Sequence, residues 1–379
     1  MIMSLLVDFI KDMMFETVNG TAIIPEETTA IAPYAFDCCK ELENINIPET
    51  ITDIGFGAFS CCAKLSRIAL PDSITEIKPF TFQWCKSLAD VTIPNSVTAI
   101  GDGAFRGCAF ERIEIPETVR FLGDGAFEDC NSLADIVIPQ GLLRVNPNTF
   151  RGCKSLKSIT LPEGVEEICY DSFSGCESLA GICIPASVRD IYSFAFQDCP
   201  ALSTIEVADG NETYDSRECC NAIIETQNNR IVLGCKNTAI PHSVISIGSG
   251  AFLGCAELEK IDIPEGVAAI EEQAFKGCSS LAGVVLPQSL TSIGDSAFEG
   301  CCAIGDIIIP RATGAVGSRV FAQCRNLKTI TIEADAAEIA WSAFMDCDAL
   351  ERIYVPAKSV AYYKEHQPKE LHGMIMELP

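Results

Sequence analysis

Histidine is nearly absent from this 379-residue chain: His242, His366 and His372 are the only three, too few and too scattered for a catalytic or zinc cluster. Basic residues are scarce as well. There are 27 against 52 acidic residues, a formal net charge of −25, and no Lys/Arg cluster interrupts the excess. Repulsion therefore excludes nucleic acid and anionic membrane as partners, and the carboxylates read as a solvated surface that keeps the chain soluble and monomeric. No apolar run approaches the ~18 residues that cross a bilayer, so no membrane insertion is expected. Also missing are the phosphate-cradling G-x-x-x-x-G-K and G-x-G-x-x-G loops and the G-x-S-x-G nucleophile elbow. Acidic residues fall at variable surface positions rather than as a convergent pair. These absences predict a protein that is not an enzyme and has no cofactor or metal.

What fills the chain instead is repetition. Residues 42–62 read LENINIPETITDIGFGAFSCC, and the pattern L-x-x-I-x-I-P-x-x-V-x-x-I-G-x-x-A-F-x-x-C-x-x recurs with a 23-residue period, paced by prolines from Pro25, Pro48 and Pro71 through Pro185 and again from Pro241 to Pro356. A fixed period of this length marks a solenoid, whose units bury their apolar sides only by stacking on one another. In one coil Ile45 and Ile47 alternate with Asn44 and Asn46, as in a half-buried strand. Pro48 has no N–H for the next ladder bond and ends it. Ile51 and Ile54 re-enter the core, Gly55 is expected in a turn conformation closed to other residues, and Phe59 with Cys62 fills the back. At a strand spacing of about 4.8 Å, some fourteen coils predict a mainly β repeat solenoid, a curved rod about 70 Å long. Length here counts coils rather than domains.

This skeleton resembles the 23-residue leucine-rich repeats of the BspA-like family, also described as the Treponema pallidum type. Thirteen copies carry Phe followed three residues later by Cys, from Phe36 and Cys39 to Phe344 and Cys347. The resemblance implies a leucine-rich-repeat-like solenoid of short strands and turns between terminal caps. It also implies a cell-surface or secreted, adhesin-like binding protein whose partner is a protein or a glycan.

Three segments depart from the standard coil. Residues 1–20 are expected to form an N-terminal capping helix: in MIMSLLVDFIKDMM the residues Ile2, Leu5, Leu6, Phe9 and Met13 share one helical face, while a signal peptide is disfavoured by Asp8 within the apolar run and by the lack of an early positive charge and of a small-residue cleavage site. The solenoid spans 21–356. After Cys108 one residue is deleted, Phe110 stands where Leu is expected, and a shortened loop absorbs the change. Residues 209–240 replace a normal coil with a longer one, in which AIIET at 222–226 and RIVLG at 230–234 flank Gln227, Asn228 and Asn229 as a hairpin. The string from Tyr214 to Pro241 is similar to an inserted hairpin coil common in the same family. Residues 357–379 form the C-terminal cap, with Ser359 capping a short helix through about His366 and Met374 to Leu378 supplying a last strand.

Of 21 cysteines, thirteen occupy the same position in successive coils. Their Cα atoms come within disulfide range, but their Cβ vectors run parallel, so a ladder of buried thiols is expected, and with it a reducing compartment or an anaerobic source. Cys219, Cys220 and Cys235 lie near the hairpin without a C-x-x-C pair or partner His, and read as packing.

What remains is a surface. The outward positions of L-x-x-I-x-I stack into two columns, Asn44, Arg67, Asp90, Arg112, Asp135 and Ser158 in one, Asn46, Ala69, Thr92, Glu114, Val137 and Thr160 in the other. Varied residues on a fixed template are what a binding face requires, although drift on an unconstrained surface leaves the same pattern. Arg67, Asp90, Arg112, Glu114, Asp135, Val137 and Thr160 are thus the candidate partner-binding residues, Arg67 and Arg112 being the local attractors for an acidic partner. The second reading is an intracellular interaction scaffold or structural spacer whose rod shape is its function.

Overall fold

Two apolar stripes per repeat give two short strands per coil, and stacking turns each stripe into a ladder of parallel strands. The computed structural model describes residues 17–340 and 342–379. It divides into two units, Met1–Leu179 with Ser187–Phe196, and Ala180–Ala186 with Gln197–Pro379. Each is a mainly β solenoid.

In the N-terminal unit the first ladder is built from the L-x-x-I-x-I strands. Thr21–Ile23 pairs with Asn44–Asn46, Arg67–Ala69 with Asp90–Thr92, and Arg112–Ile113 with Asp135–Ile136, all parallel and in the register that sets each residue against its repeat equivalent. The second ladder takes the x-x-I segments, for example Glu76–Ile77, Ala99–Ile100 and Phe121–Leu122. Between the ladders and the back lies a dry core in which Ile51, Phe59, Cys62 and Leu65 are all fully buried. The phenylalanines form one stack, Phe36, Phe59, Phe82, Phe105, Phe127, Phe150, Phe173 and Phe196, with ring centroids 5.0–5.8 Å apart and planes within 18°.

The thiol ladder has a polar function as well as a packing one. Cys62 Sγ donates to the carbonyl of Phe36 at 3.0 Å, and the same bond recurs from Cys85 to Phe59, Cys130 to Phe105 and Cys153 to Phe127. A small apolar side chain with a weak donor thus serves the Phe carbonyl of the coil before it. All 21 cysteines lie among the described residues, and none is in a disulfide.

Gly55 is needed for a reason other than the expected one. Its φ lies outside the left-handed region. A β-carbon there would sit 2.3 Å from the backbone nitrogen of Pro33 in the preceding coil, so close approach of two backbones, not a turn angle, excludes a side chain. The deletion after Cys108 is absorbed as expected. Ala109 N–H reaches the Leu88 carbonyl directly at 2.9 Å, and Phe110, fully buried, meets Phe105 edge-on with centroids 5.4 Å apart.

Of the capping helix expected at 1–20, residues 1–16 lie outside the described residues. At 17–20 the chain is no helix: Thr17–Val18 pairs antiparallel with Thr21–Ile23 through Asn19 (φ 49°) and Gly20 (φ 76°), an Asn-Gly hairpin turn.

In the C-terminal unit the inserted coil is a hairpin, Ala222–Glu225 antiparallel to Arg230–Gly234, with Tyr214–Asp215 added on its outer edge. Arg230–Gly234 then pairs parallel with Ser246–Ile247, and the second ladder continues through Ala269–Ile270, Ser292–Ile293, Ala315–Val316 and Glu338–Ile339 as one eight-stranded sheet. A second Phe stack runs from Phe252 to Phe344. At the end, helix Val360–His366 and strand Ile375–Glu377 close the coil, the strand pairing with Arg352–Val355. Ser359 occupies the N-cap position, but its hydroxyl makes no capping bond, because a 3₁₀ turn at Ala357–Ser359 has already brought its backbone to φ −104°, ψ −5°.

Candidate functional site

Alternation along each L-x-x-I-x-I strand sends every second side chain away from the core, and parallel pairing lines these up across coils. In the N-terminal unit Arg67 faces Asp90, Ala69 faces Thr92, and Arg112 faces Asp135, which reproduces the columns read from the sequence. Arg67, Asp90, Arg112, Glu114, Val137 and Thr160 are exposed and Asp135 is half-buried.

Three shallow hollows run along this face and overlap. The first, about 420 Å³, is lined by Asn44, Asn46, Arg67, Asp90 and Thr92. The second, about 320 Å³, shares Asp90 and Thr92 with it and adds Arg112 and Glu114. The third, about 340 Å³, lies between Arg112, Glu114, Asp135 and Val137. Six of the seven candidates therefore border one continuous trough. Thr160 lines none of the three hollows. Strand pairing is interrupted between Asp90–Thr92 and Arg112–Ile113, beside the deleted residue, and the middle hollow sits at that gap.

The two arginines are not equivalent, contrary to the sequence reading. Arg112 is ion-paired with Asp135 on the next strand, which satisfies its charge locally. Arg67, opposite Asp90, is in no ion pair among the described residues. Of these two arginines, Arg67 is the one whose charge no carboxylate among the described residues pairs with. Val137, 67% exposed, supplies an apolar side chain to the trough.

A larger groove, about 880 Å³, lies on the second ladder of the C-terminal unit. Ala269, Ser292, Ala315, Glu272 and Asp295 are among the residues that line it, together with Tyr362 and His366, whose rings stack with centroids 4.3 Å apart. Sequence reading missed it because only the first ladder was treated as a face. The signal was there in the small residues one place before the inward Ile or Val of successive coils. Among the described residues the only donor group able to converge on one ion is Asp37, Cys38 and Cys61, so Cys219, Cys220 and Cys235 are not such a group.

Comparison with known proteins follows the same lines. The family profile described as a BspA type leucine rich repeat region (6 copies) matches residues 8–134, 122–231 and 232–351. Among solved structures, the chain is similar to a leucine-rich repeat protein from Bacteroides ovatus, with 26% identity, a TM-score of 0.64, and 96% of this chain and 98% of that one covered. It is also similar to a leucine rich cell surface protein from Faecalibacterium prausnitzii, with 28% identity, a TM-score of 0.65, and 93% and 89% covered. The pneumococcal vaccine antigen PcpA shares the fold at 19% identity and a TM-score of 0.59, over 97% of this chain and 88% of that one. No curated protein matches the chain.

Proposed function

The chain belongs to the BspA-type leucine-rich repeat family, and on that premise we propose that it is a non-enzymatic binding protein whose N-terminal sheet face takes a protein or glycan partner. The observation that carries this reading is the trough. Arg67, Asp90, Arg112, Glu114, Asp135 and Val137 come from four successive coils, and their overlapping hollows mix both charges with an exposed apolar residue. Interfaces of ordinary size bury about 800 Å² per partner, more than one coil exposes, so a multi-coil trough is the right scale. An adhesin-like role at the cell surface is part of the proposal, supported by the similarity to a Faecalibacterium protein described as a cell surface protein.

The rival reading is an intracellular scaffold, and one observation favours it: the buried thiol ladder contains no disulfide. The test presents the folded chain to arrays of glycans and of cell-surface proteins, alongside the variant Arg67→Glu/Val137→Glu. A partner that the variant binds at least tenfold more weakly, with thermal stability unchanged, supports the trough. Equal affinity removes this face and leaves the C-terminal groove.

A further inference from the structure

The residue just before each ladder cysteine sits in a left-handed turn. In the N-terminal unit Gly107, Gly152 and Gly175 hold it with φ of 70°, and glycine suits it because a β-carbon there costs about 1–2 kcal/mol. In two consecutive coils the position is instead a cysteine, Cys38 at φ 58° and Cys61 at φ 59°. The two turns are locked together. Cys38 N–H donates to the Ser60 carbonyl at 2.7 Å, and Cys61 N–H continues the same ladder to Gln83 at 2.7 Å. Their thiols are thereby held side by side at the surface, and the carboxylate of Asp37 joins them.

We propose that Asp37, Cys38 and Cys61 form a binding site for a zinc-class divalent ion that ties together two consecutive coils near the start of the solenoid. Geometry is the first argument. One donor atom from each residue lies within 4.8 Å of the others, and Cys38 Sγ is 3.6 Å from Asp37 Oδ1. A tetrahedral ion with bonds of about 2.3 Å to sulfur and about 2.0–2.2 Å to oxygen sets sulfur and oxygen about 3.5 Å apart and the two sulfurs about 3.8 Å apart. Donor atoms already within 4.8 Å of one another need to draw together by about 1 Å or less to meet that arrangement.

Donor chemistry selects the ion. Two thiolates with one carboxylate suit zinc, cadmium or cobalt, whereas magnesium and calcium take oxygen-only shells. Cys38 is exposed and Asp37 and Cys61 are half-buried, so an ion has a path in and a water can take the fourth position. Ser60 Oγ donates to Cys61 Sγ at 3.6 Å, a neighbour suited to steadying a thiolate. Binding displaces two thiol protons, so affinity rises with pH.

The experiment uses the full chain, reduced and metal-free, titrated with Co²⁺ in oxygen-free buffer and then with Zn²⁺. Expected is one equivalent of Co²⁺ giving a sulfur-to-cobalt charge-transfer band that Zn²⁺ abolishes. Cys38→Gly and Cys61→Gly, which carry the residue other coils use at this turn and so keep the fold, should each weaken binding at least a hundredfold. Asp37→Asn should weaken it about tenfold and keep the charge-transfer band. Cys219→Ser, an exposed thiol of the C-terminal unit, should change nothing. The proposal is overturned if the wild-type chain gives no thiolate band, if the band survives in the Cys38→Gly/Cys61→Gly variant, or if thiol counting finds these two cysteines joined as a disulfide under the reducing conditions used.

Discussion

Truncating Phe275 to alanine tests the stack most directly. Phe275 is fully buried in the middle of the C-terminal series, its ring 4.9 Å from Phe252 and 5.1 Å from Phe298, with planes within 12°. Cutting a buried Phe back to its β-carbon costs about 3–5 kcal/mol in lost transfer energy and residual cavity. Two ring neighbours lose a stacked partner as well, worth about 0.5–1.5 kcal/mol each. The rings above and below are held by their own coils and cannot close the gap, so the expected loss lies near the upper end, about 5 kcal/mol, a third or more of a typical domain's stability. The control is Val285→Ala, one coil on, where the side chain is 75% exposed and the change should stay within about 0.5 kcal/mol. Urea titrations followed by far-ultraviolet circular dichroism compare the two midpoints at unchanged slope. A loss below about 1 kcal/mol at Phe275, or equal losses at both positions, would refute the inward register and the claim that the stack carries the fold.

Three further outcomes follow from named contacts. A thiol reagent should modify the exposed Cys183 and Cys219 first, and reach the ladder only after unfolding, without added reductant; burial pushes thiols such as Cys130 up to about 12, so they stay protonated and inert. At Glu299 burial raises the carboxyl pKa, but hydrogen bonds from Arg319 and Ser296, with Lys276 close by, lower it on balance below the usual 4.5. Its contribution is therefore present above the unfolded value and lost as pH falls through the lower folded one, and the stability gap between wild type and Glu299→Gln should be flat at neutral pH and close below about pH 4.5. Tyr363→Phe should cost about 1–3 kcal/mol in thermal unfolding, since the buried Tyr363 hydroxyl donates to Ala334 O at 2.8 Å and accepts from Ala337 N–H at 3.0 Å.

Much of this was legible from spacing. A 23-residue period fixes both ladders, the Phe stack and the thiol ladder, because every stacking contact repeats at that interval, and the hairpin at 222–234 announced itself by two apolar runs around Asn-rich turn residues. Contacts that depend on side-chain reach were not legible. The sequence places Arg67 and Arg112 in one column but does not tell which of them a neighbouring carboxylate has claimed. Nor does it reveal that Gly55 is required by the backbone of Pro33, a contact between coils that no local pattern encodes. The doubled cysteines at 38–39 and 61–62 carry no metal-ligand spacing that a sequence pattern would single out. Only the shared turn conformation brings Cys38 and Cys61 beside Asp37.

The irregular coils have a consequence for folding. In an array whose units are alike, a segment displaced by one whole repeat still buries its Ile, Phe and Cys, so the correct alignment and the displaced one differ little in energy. The coil shortened after Cys108 and the hairpin of Ala222–Glu225 with Arg230–Gly234 each fit one place only: Phe110 fills a site shaped by a missing residue, and the antiparallel hairpin delivers a strand that pairs with Ser246–Ile247 and with no other coil's equivalent. They act as keys in an otherwise uniform lock. A chain regularised at both places, every coil made to the consensus, should gain average stability while populating misaligned stacks on refolding.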